Sequence, residues 1–417
     1  MLFHHRKLSS YLLTATLAAT LLSVSASVNS EPLNAQAIDT EIRARDLGIP
    51  FSGITGPLNS ITDVTGVSVG HRTLITGDGA LERGNGPIRT GVTIIHPRAK
   101  DSTEGVFAGW FTLNASGEMT GTTWLQERGL LDGPIGITNT HSVGIVRDSL
   151  VAWMVDQGWS ADWHAPVVAE TYDGALNDID GQHIKPVHVV EALHAADTGP
   201  IAEGAVGGGT GMICNGFKGG IGTASRVFSI DDQTFTLGVL VQCNYNWDGE
   251  DLRLGGRIVA DQLPVGQHCH VDGNIPRSKA WYPYCDASES KQASRTRDGS
   301  IIVVLATDAP LLPHQLTRLA KRPSLALGRL GAISSAGSGD IFVAFSTANT
   351  GALNELEFNA VAMYPNYQLA TVFRAAVDAT EEAIVNAMVA AETMVGADGL
   401  KVEALPHADI KALFARP

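Results

Sequence analysis

The sequence predicts an α/β protein in which helices are layered against β-sheets. Three observations point to this class. Short apolar runs alternate with glycine turns from about residue 45 to residue 285, helical periodicity appears between and after them, and the chain contains 45 glycines. With 44% hydrophobic and only 17% charged residues among 417, it can bury a substantial core. Strands interleaved with helices pack as layers around sheets.

Each predicted strand is a run of apolar and β-branched residues bounded by turn-forming residues. In the upstream part of the chain these runs are residues 61–71, 91–97, 105–114, 133–144, 235–245 and 256–266. Downstream they are residues 300–310 and 338–349.

Three segments have the apolar spacing of helices. The first is residues 145–158, whose apolar side would pack on a sheet. The second is residues 314–321, and Pro323 ends or kinks it. The third and longest runs from about residue 367 to residue 395.

The N-terminus has the pattern of a secretory signal. Basic residues at positions 4–7 precede an apolar stretch at 11–22, and small residues then lead to a plausible cleavage point at Ala26. The apolar stretch is too short to span a bilayer, and no later stretch is apolar for long enough. We therefore expect residues 1–30 to be targeting sequence and the protein to be periplasmic or secreted.

The charge balance limits the partners that the protein can have. Its 29 basic and 43 acidic residues give a net charge of −14. Nucleic acid and anionic membrane surfaces are bound by basic patches. We therefore expect neither nucleic acid nor a membrane as a partner.

The four cysteines raise the question of disulfides and metals. Cys269 and Cys285 would close a short loop, whereas Cys214 and Cys243 lie in apolar runs and are expected to be buried thiols. Spacing alone does not fix the pairing. The His-Cys-His segment at 268–270 has no second ligand cluster, so we expect no metal and no cofactor.

Two glycine motifs suggest chemistry that their context does not support. Residues 66–70 match G-x-S-x-G, but a nucleophile elbow needs a following helix, and turn-rich sequence follows here. We therefore expect Ser68 to be an ordinary strand residue. The glycine-rich segments 207–211 and 218–222 match no phosphate loop, and they predict close backbone approach instead.

The Gly299–Ser300 step has a chemistry of its own. The polar segment 286–299 contains no Val, Ile, Leu or aromatic residue, so it predicts an exposed loop immediately before a strand. A serine hydroxyl can attack the preceding peptide carbonyl, and glycine there lowers steric crowding. Cleavage would leave an N-terminal serine whose amine, with a reference pKa of about 7.7–8.0, can serve as a base. An ordinary strand entry also fits these residues alone.

Five motifs place this step in a wider pattern. They are VVAETYDGALNDIDG (167–181), GAVGGGTGMICNGFKGGIGTASR (204–226), LGVLVQCNYN (237–246), GSIIVVLATDAPLLPHQLTRLAKR (299–322) and SSAGSGDIFVAFSTAN (334–349). From about Asp46 to its C-terminus the chain resembles the L-aminopeptidase/D-amidase/D-esterase family. This DmpA-like family includes the β-peptidyl aminopeptidases. The segment from about 267 to 296 is longer than the resemblance leads us to expect, and its role stays open.

The resemblance implies an architecture and a processing step. The family fold is a four-layer αββα sandwich similar to that of N-terminal nucleophile hydrolases. Its members cut themselves before the nucleophilic serine, which here means between Gly299 and Ser300. Residues 31–299 and 300–417 would then be the large and small subunits of one domain. Family members assemble as tetramers of this two-chain unit, so a homo-oligomer is expected.

The resemblance also implies roles for six side chains. These are Ser300 as nucleophile, Ser338 and Asp340 as the polar relay that holds and activates it, Asn244 as oxyanion donor, Tyr172 as a second donor and Glu170 as the ligand of the substrate's ammonium group. Relatives carry Glu or Asp at the position of Asp340. Alternate residues at a strand start share a face, so Ser338 and Asp340 can meet, although a turn with Asp340 capping backbone amides also fits them.

The implied function is a self-processing serine aminopeptidase. It would release N-terminal residues from short peptides, amides or esters with a free amine, through an acyl-enzyme on Ser300. The motifs do not distinguish β-amino acid from L- or D-α-amino acid substrates, nor the Ser300 amine from the Ser338 relay as the base. The alternatives are an uncleaved, non-catalytic amine-binding protein and an acyltransferase of the same fold. The acyltransferases of this fold cut before Thr, whereas this chain has Ser300.

Overall fold

The structure is a computed structural model that describes residues 42–159, 163–271, 282–286, 299–351 and 358–415. They belong to one compact unit that begins at Ile42. The predicted signal segment 1–30 and most of the polar segment 286–299 lie outside the described residues.

The helices lie mainly between and after the strands. In the described part of the chain they are α1 Thr122–Arg128, α2 Val143–Asp156, α3 Pro186–Ala195, α4 Pro313–Ala320, α5 Pro323–Arg329, α6 Leu369–Val389 and α7 His407–Phe414. Helices α3, α4 and α5 each begin with proline. Proline suits this position because its fixed φ is helical and its missing N–H has no partner there anyway.

The strands are long in two sheets and short elsewhere. In chain order they are β1 Ser68–Thr76, β2 Ile88–His96, β3 Val106–Ala115, β4 Leu130–Leu131, β5 Ile135–Asn139, β6 Val168–Thr171, β7 Ile213–Cys214, β8 Phe217–Lys218, β9 Gly220–Ile230, β10 Gln233–Asn244, β11 Arg253–Leu254, β12 Arg257–Ile258, β13 Cys269–His270, β14 Ser300–Thr307, β15 Gly339–Ser346, β16 Met394–Val395 and β17 Leu400–Val402.

Two of the sheets form the centre of the fold. The large sheet has the order β4-β3-β15-β14-β10-β9, and the small sheet has the order β1-β2-β5-β6. Strands β14 and β15 are parallel to each other, as are β5 and β6. The other neighbours in these sheets pair antiparallel.

The hydrophobic residues define four layers. The inner face of the large sheet, with Ile302 and Val304, packs on Ile137 of the small sheet. The outer face of the large sheet, with Ile301 and Phe342, packs on helices α4, α5 and α6. Helices α2 and α3 cover the other side of the small sheet. Because strand residues alternate between faces, the order is helices, large sheet, small sheet, helices. The predicted four-layer αββα sandwich is confirmed.

Most predicted elements are found, and three need correction. The strand predicted at 133–144 is only Ile135–Asn139, because a 3-10 turn at Thr140–Ser142 leads into α2. Helix α2 matches the predicted 145–158, but the strand predicted at 256–266 is wrong. Only Arg257–Ile258 pair there, because Gly255 and Gly256 have positive φ and a 3-10 turn follows at Ala260–Gln262. The strand predicted at 61–71 begins only at Ser68. Before it, Ser60 caps a short 3-10 turn at Ile61–Asp63.

The cysteine prediction is correct for one pair and wrong for the other. Cys269 and Cys285 form a disulfide, as their spacing suggested. Cys214 and Cys243 are fully buried, as expected, but they are bonded to each other rather than being thiols. Sequence reasoning missed this bond because the two residues become neighbours only when β7 packs beside the end of β10.

Two further expectations concern Ser68 and membrane-spanning helices. Ser68 is buried as the first residue of β1, and a strand rather than a helix follows it. No helix in the described ranges combines the length and apolarity needed to cross a bilayer.

Candidate active site

Three strands of the large sheet place distant parts of the sequence side by side. Strand β10 ends at Asn244, and its antiparallel pairing with β14 puts Asn244 directly opposite Ser300. The parallel pairing of β14 and β15 puts Asp340 beside Ile301. The predicted nucleophile, oxyanion donor and relay therefore lie together at the ends of three adjacent interior strands.

The two faces of the sheet separate these side chains into two groups. Ser300 alternates with Ile301, so it lies on the inner face, as does Asn244. Asp340 is two residues before Phe342 in the same strand, so it lies on the same, outer face. The Ser300 hydroxyl and the Asp340 carboxylate thus approach the start of β14 from opposite sides.

Ser300 is held where it would act. Ser300 is only 6% exposed, and its Oγ accepts a hydrogen bond of 3.1 Å from the Gly339 amide. The preceding residue has no room for a side chain. A Cβ on Gly299 would lie 1.7 Å from the Asn244 main-chain oxygen. Contact with the neighbouring strand therefore requires glycine at 299. The sequence alone indicated only that glycine there would lower steric crowding.

Asn244 is fully buried and oriented by main-chain groups. Its Oδ1 accepts from the Ile213 amide at 2.9 Å, which fixes the orientation of the carboxamide. Its Nδ2 donates to the Tyr172 carbonyl at 2.9 Å. An amide nitrogen carries two hydrogens, so a second one is left for an oxyanion next to Ser300.

Tyr172 follows β6 and links the two sheets at the site. Its main chain contacts Asn244, whereas its phenol oxygen lies against Gly174, where a Cβ would be only 2.4 Å away. The half-buried ring packs beside the cluster that contains Trp247. The structure thus brings Tyr172 to Asn244 through its backbone, and its role as a donor stays a prediction.

Glu170 lies in β6 and is only 3% exposed. Its Oε1 accepts from the Glu118 amide at 2.9 Å, and its Oε2 accepts from the Thr140 hydroxyl. Burial raises the pKa of its carboxyl, although both hydrogen bonds work in the opposite direction. A carboxylate held this way has lost much of its hydration, so a cationic group that reached it would be attracted strongly.

An exposed glycine, Gly117, lies between the Glu170 carboxylate and the start of β15. A Cβ on Gly117 would lie 3.1 Å from Glu170 Oε1 and 3.3 Å from the Gly339 Cα. Gly339 in turn contacts Ser300 Oγ. Gly117 and Gly339 therefore connect the Glu170 carboxylate to Ser300 Oγ through a short series of contacts.

Ser338 and Asp340 form the hydroxyl–carboxylate pair that the sequence predicted. Ser338 Oγ donates to Asp340 Oδ1 at 2.6 Å, and both residues are buried. They line a recess on the outer face together with Gly299, Tyr245 and the 332–335 turn. The recess therefore reaches the bond that would be cut from the side opposite Asn244.

Several groups that build the site have no sequence signal. The amides of Gly339, Glu118 and Ile213 orient Ser300, Glu170 and Asn244, and a main-chain amide is present at almost every position. Thr140 was also missed, because it reaches Glu170 only through the pairing of β5 with β6.

The histidines that suggested a metal have structural partners. His268 is buried with a pKa lowered to about 4 by burial, and its Nε2 contacts the Trp247 carbonyl. His270 Nδ1 contacts the Asp398 carbonyl. Among the residues that the structure describes, no group of three or more His, Cys, Asp or Glu could hold a metal ion.

Comparison with known sequences identifies relatives over most of the chain. Residues 59–402 match peptidase family S58. A β-peptidyl aminopeptidase BapA of Sphingosinicella microcystinivorans is 53% identical over 379 residues, covering 90% of this chain and 92% of the relative. The β-peptidyl aminopeptidase BapA of Sphingosinicella xenopeptidilytica is 45% identical, with coverage of 90% and 92%.

Solved structures agree with the sequence relatives. An L-aminopeptidase D-Ala-esterase/amidase from Ochrobactrum anthropi, described as a prototype serine aminopeptidase with a variant Ntn hydrolase fold, superposes with a TM-score of 0.79. It is 44% identical and covers 90% of this chain and 98% of its own. The PH0078 protein of Pyrococcus horikoshii OT3 gives a TM-score of 0.78 at 39% identity, with coverage of 90% and 99%. The chain is therefore an aminopeptidase and belongs to peptidase family S58.

Proposed function

We propose that this aminopeptidase matures by cutting its own Gly299–Ser300 bond and then uses Ser300 as nucleophile. The observation that carries the proposal is the pairing of Ser300 with Asn244 at adjoining strand ends. This pairing puts a hydroxyl and an amide donor at one point, which acyl transfer requires. Residues 31–299 and 300–417 would then be the two subunits.

Self-cleavage is supported by the confinement of Gly299. The Ser300 hydroxyl attacks the Gly299 carbonyl, its C–O bond forms as the C–N bond breaks, and the proton passes to the departing nitrogen. Water then hydrolyses the ester and leaves Ser300 with a free amine. Close contact of Gly299 with Asn244 limits its motion, which favours a near-attack geometry.

Hydrolysis of substrate repeats this chemistry on a foreign carbonyl. Ser300 Oγ attacks, the Asn244 amide stabilises the oxyanion, and the leaving amine departs with the serine proton. Water then releases the acyl group. A carboxamide that is already aligned by Ile213 and Tyr172 needs no reorganisation as charge develops.

The position of Ser338 and Asp340 supports a role for them toward the new amine. Both line the outer recess that Gly299 also lines, so an amine formed by cutting after Gly299 would emerge beside them. The carboxylate would accept a hydrogen bond from that amine directly or through Ser338 Oγ. The amine would thereby be oriented as the base for Ser300 Oγ, with Ser338 and Asp340 acting as its relay.

Selection for a free N-terminus is assigned to Glu170. Its buried carboxylate near Gly117 suits the ammonium group of a short peptide, amide or ester, and the interior of a protein chain offers no such cation. Because two relatives carry the name β-peptidyl aminopeptidase, we include N-terminal β-amino acids among the substrates. We assign Tyr172 as a second donor near the intermediate.

Two further proposals concern the protein in the cell. The signal pattern in residues 1–30 supports export to the periplasm or beyond, and two disulfides suit such a compartment. The family resemblance supports a tetramer of the two-chain unit. N-terminal sequencing of the exported protein and light scattering of the matured enzyme test these two proposals.

Denaturing gel electrophoresis tests the proposed function. Active wild-type protein should give two bands, and the smaller should read Ser-Ile-Ile-Val-Val from its N-terminus. A β-homo-residue peptide, an L-amino acid anilide and D-alanine amide should be compared with their N-acetylated forms, which should not be hydrolysed. A single intact band in active protein would exclude the self-cleavage mechanism and favour the uncleaved alternative.

A further inference from the structure

Lys218 is a buried base that the proposed mechanism does not use. It is the last residue of β8, and its side chain is completely buried. It lies in the glycine-rich segment GFKGG, in which the lysine is fully buried. Burying a lysine is costly unless its nitrogen is hydrogen-bonded, so its partners indicate what the position requires.

Lys218 Nζ is hydrogen-bonded to two main-chain carbonyls. It donates to Met212 O at 2.8 Å and to Gly219 O at 2.8 Å. Burial lowers the pKa of Lys218 to about 7. A neutral amine still has two hydrogens, one for each carbonyl, so both contacts persist whether or not the nitrogen is protonated.

The Met212 carbonyl belongs to the same peptide group that orients Asn244. This peptide accepts from Lys218 through its oxygen, and its N–H, that of Ile213, donates to Asn244 Oδ1 at 2.9 Å. Hydrogen bonds on both ends of one amide polarise it in the same direction. The chain of contacts thus runs from Lys218 through one peptide to the carboxamide next to Ser300.

A second link holds the same two segments together. Cys214 follows Ile213 and Cys243 precedes Asn244, and these two cysteines are disulfide-bonded. The bond fixes the distance between the segments, and the Met212 carbonyl accepts both from the Gly219 amide at 2.9 Å and from Lys218 Nζ. Lys218 Nζ is the side-chain donor of this pair, and its contact helps to set the direction of the Met212 carbonyl and therefore of the Ile213 N–H.

We propose that Lys218 is a positioning residue for the oxyanion donor, acting on Asn244 through the Met212–Ile213 peptide. This inference rests on the proposed role of Asn244. Removing Lys218 would leave the Met212 carbonyl with the Gly219 amide as donor, loosen the peptide, weaken its hydrogen bond to Asn244 Oδ1 and misdirect the second Nδ2 hydrogen. The loss should appear in kcat, where the oxyanion forms, and leave KM nearly unchanged.

The experiment is a double-mutant cycle with Lys218→Met and Asn244→Ala. Methionine keeps the length of the lysine side chain and removes its donors. We expect Lys218→Met to lower kcat about tenfold with KM within about twofold, and to have almost no further effect in the Asn244→Ala background. Rates are divided by the amount of cleaved small fragment, so that slower maturation does not enter the comparison.

Two further variants separate positioning from a general loss of structure. Lys218→Gln keeps an N–H donor and should recover part of the lost kcat. Lys401→Met removes a neighbouring lysine whose partner is Glu403, and it should behave as wild type. If Lys218→Met does not fold, Lys218→Gln replaces it in the cycle, with an expected loss of about threefold.

The outcomes distinguish this inference from the function on which it rests. If Asn244→Ala loses kcat but the Lys218 effect is equally large in that background, Lys218 does not act through Asn244 and the inference fails alone. A Lys218 variant that raises KM instead of lowering kcat also overturns it. If Asn244→Ala keeps wild-type kcat, the oxyanion role of Asn244 fails, and the inference fails with it.

Discussion

The inner and outer faces of the large sheet approach Ser300 in different ways. On the inner face, Asn244 is buried and held by the Ile213 amide, and Glu170 in β6 of the small sheet is likewise buried and accepts from the Glu118 amide. On the outer face, Ser338 and Asp340 hold each other beside a turn in which Ile333 is 81% exposed. The difference suggests a division of labour. In the proposed mechanism, the hydrogen-bonded inner face would bind charge that develops on the substrate, and the outer face, beside an exposed turn, would receive the chain end formed by cleavage.

Replacing Ser300 removes the hydroxyl on which the proposed roles of both faces depend, so it should have the largest effect on activity. Ser300→Ala should remain a single chain and show no hydrolysis, because no hydroxyl is left to attack either carbonyl. Electrophoresis and an anilide assay measure the two losses. Ser300→Thr is the control that keeps a hydroxyl, and it should retain some self-cleavage. Two bands from Ser300→Ala would refute Ser300 as the self-cleaving nucleophile.

Asn244→Ala tests the inner face alone. We expect kcat to fall by a factor of about 10²–10³, since losing an oxyanion donor costs roughly 2.7–4 kcal/mol in the transition state. Asn244→Asp keeps the acceptor for the Ile213 amide but loses the donor, so it should be no better. Steady-state kinetics on cleaved protein give the answer. Full activity in Asn244→Asp would show that the inner face works without this donor.

Asp340→Asn tests the outer face. The negative charge that accepts the hydrogen bond from Ser338 Oγ is lost while the shape is kept, and we expect kcat to fall by about 10²-fold, as for loss of acid–base assistance. Asp308→Asn, just beyond the other end of β14, changes charge in the same way and should leave kcat unaltered. Equal kinetics for the two variants would place the base elsewhere.

Glu170→Gln should have the smallest effect on kcat and act on KM. Losing a charge-assisted contact to the ammonium group should raise KM about tenfold. Because burial raises the Glu170 pKa, the wild-type carboxylate is protonated as pH falls through this raised value, and KM should rise there. The glutamine variant should lose that pH dependence.

Glu118→Gln provides the matched control for Glu170. Its amide, rather than its exposed carboxylate, donates the hydrogen bond to Glu170, so its KM above the Glu170 pKa should follow the wild type. Because the Glu118 charge also helps to raise the Glu170 pKa, the rise in KM should begin at a lower pH in this variant. If Glu118→Gln reproduces the KM change of Glu170→Gln, the effect comes from charge around the entrance and not from a specific contact.

The sequence predicted those parts of the molecule that depend on side-chain type. The alternation of β14 and the stripe of α6 are patterns of apolar side chains, and the motifs around Ser300, Asn244 and Asp340 carried the resemblance. The 256–266 strand failed because two glycines with positive φ outweighed its apolar residues. The Cys214–Cys243 bond and the orientation of Asn244 by Ile213 depend on tertiary contacts and main-chain groups, which leave no local pattern.

The strand order of the large sheet has a consequence for the cut protein. Strands β14 and β15 lie between β3 and β10, both of which come from upstream of Gly299. All four cysteines also precede Gly299, so neither disulfide crosses the proposed cut. The downstream fragment would supply two interior strands of the large sheet. Removing it would require the hydrogen bonds to β3 and to β10 to break together. The two fragments of the cleaved protein should therefore remain associated under native conditions. Reductant should not change the fragments that a denaturing gel shows.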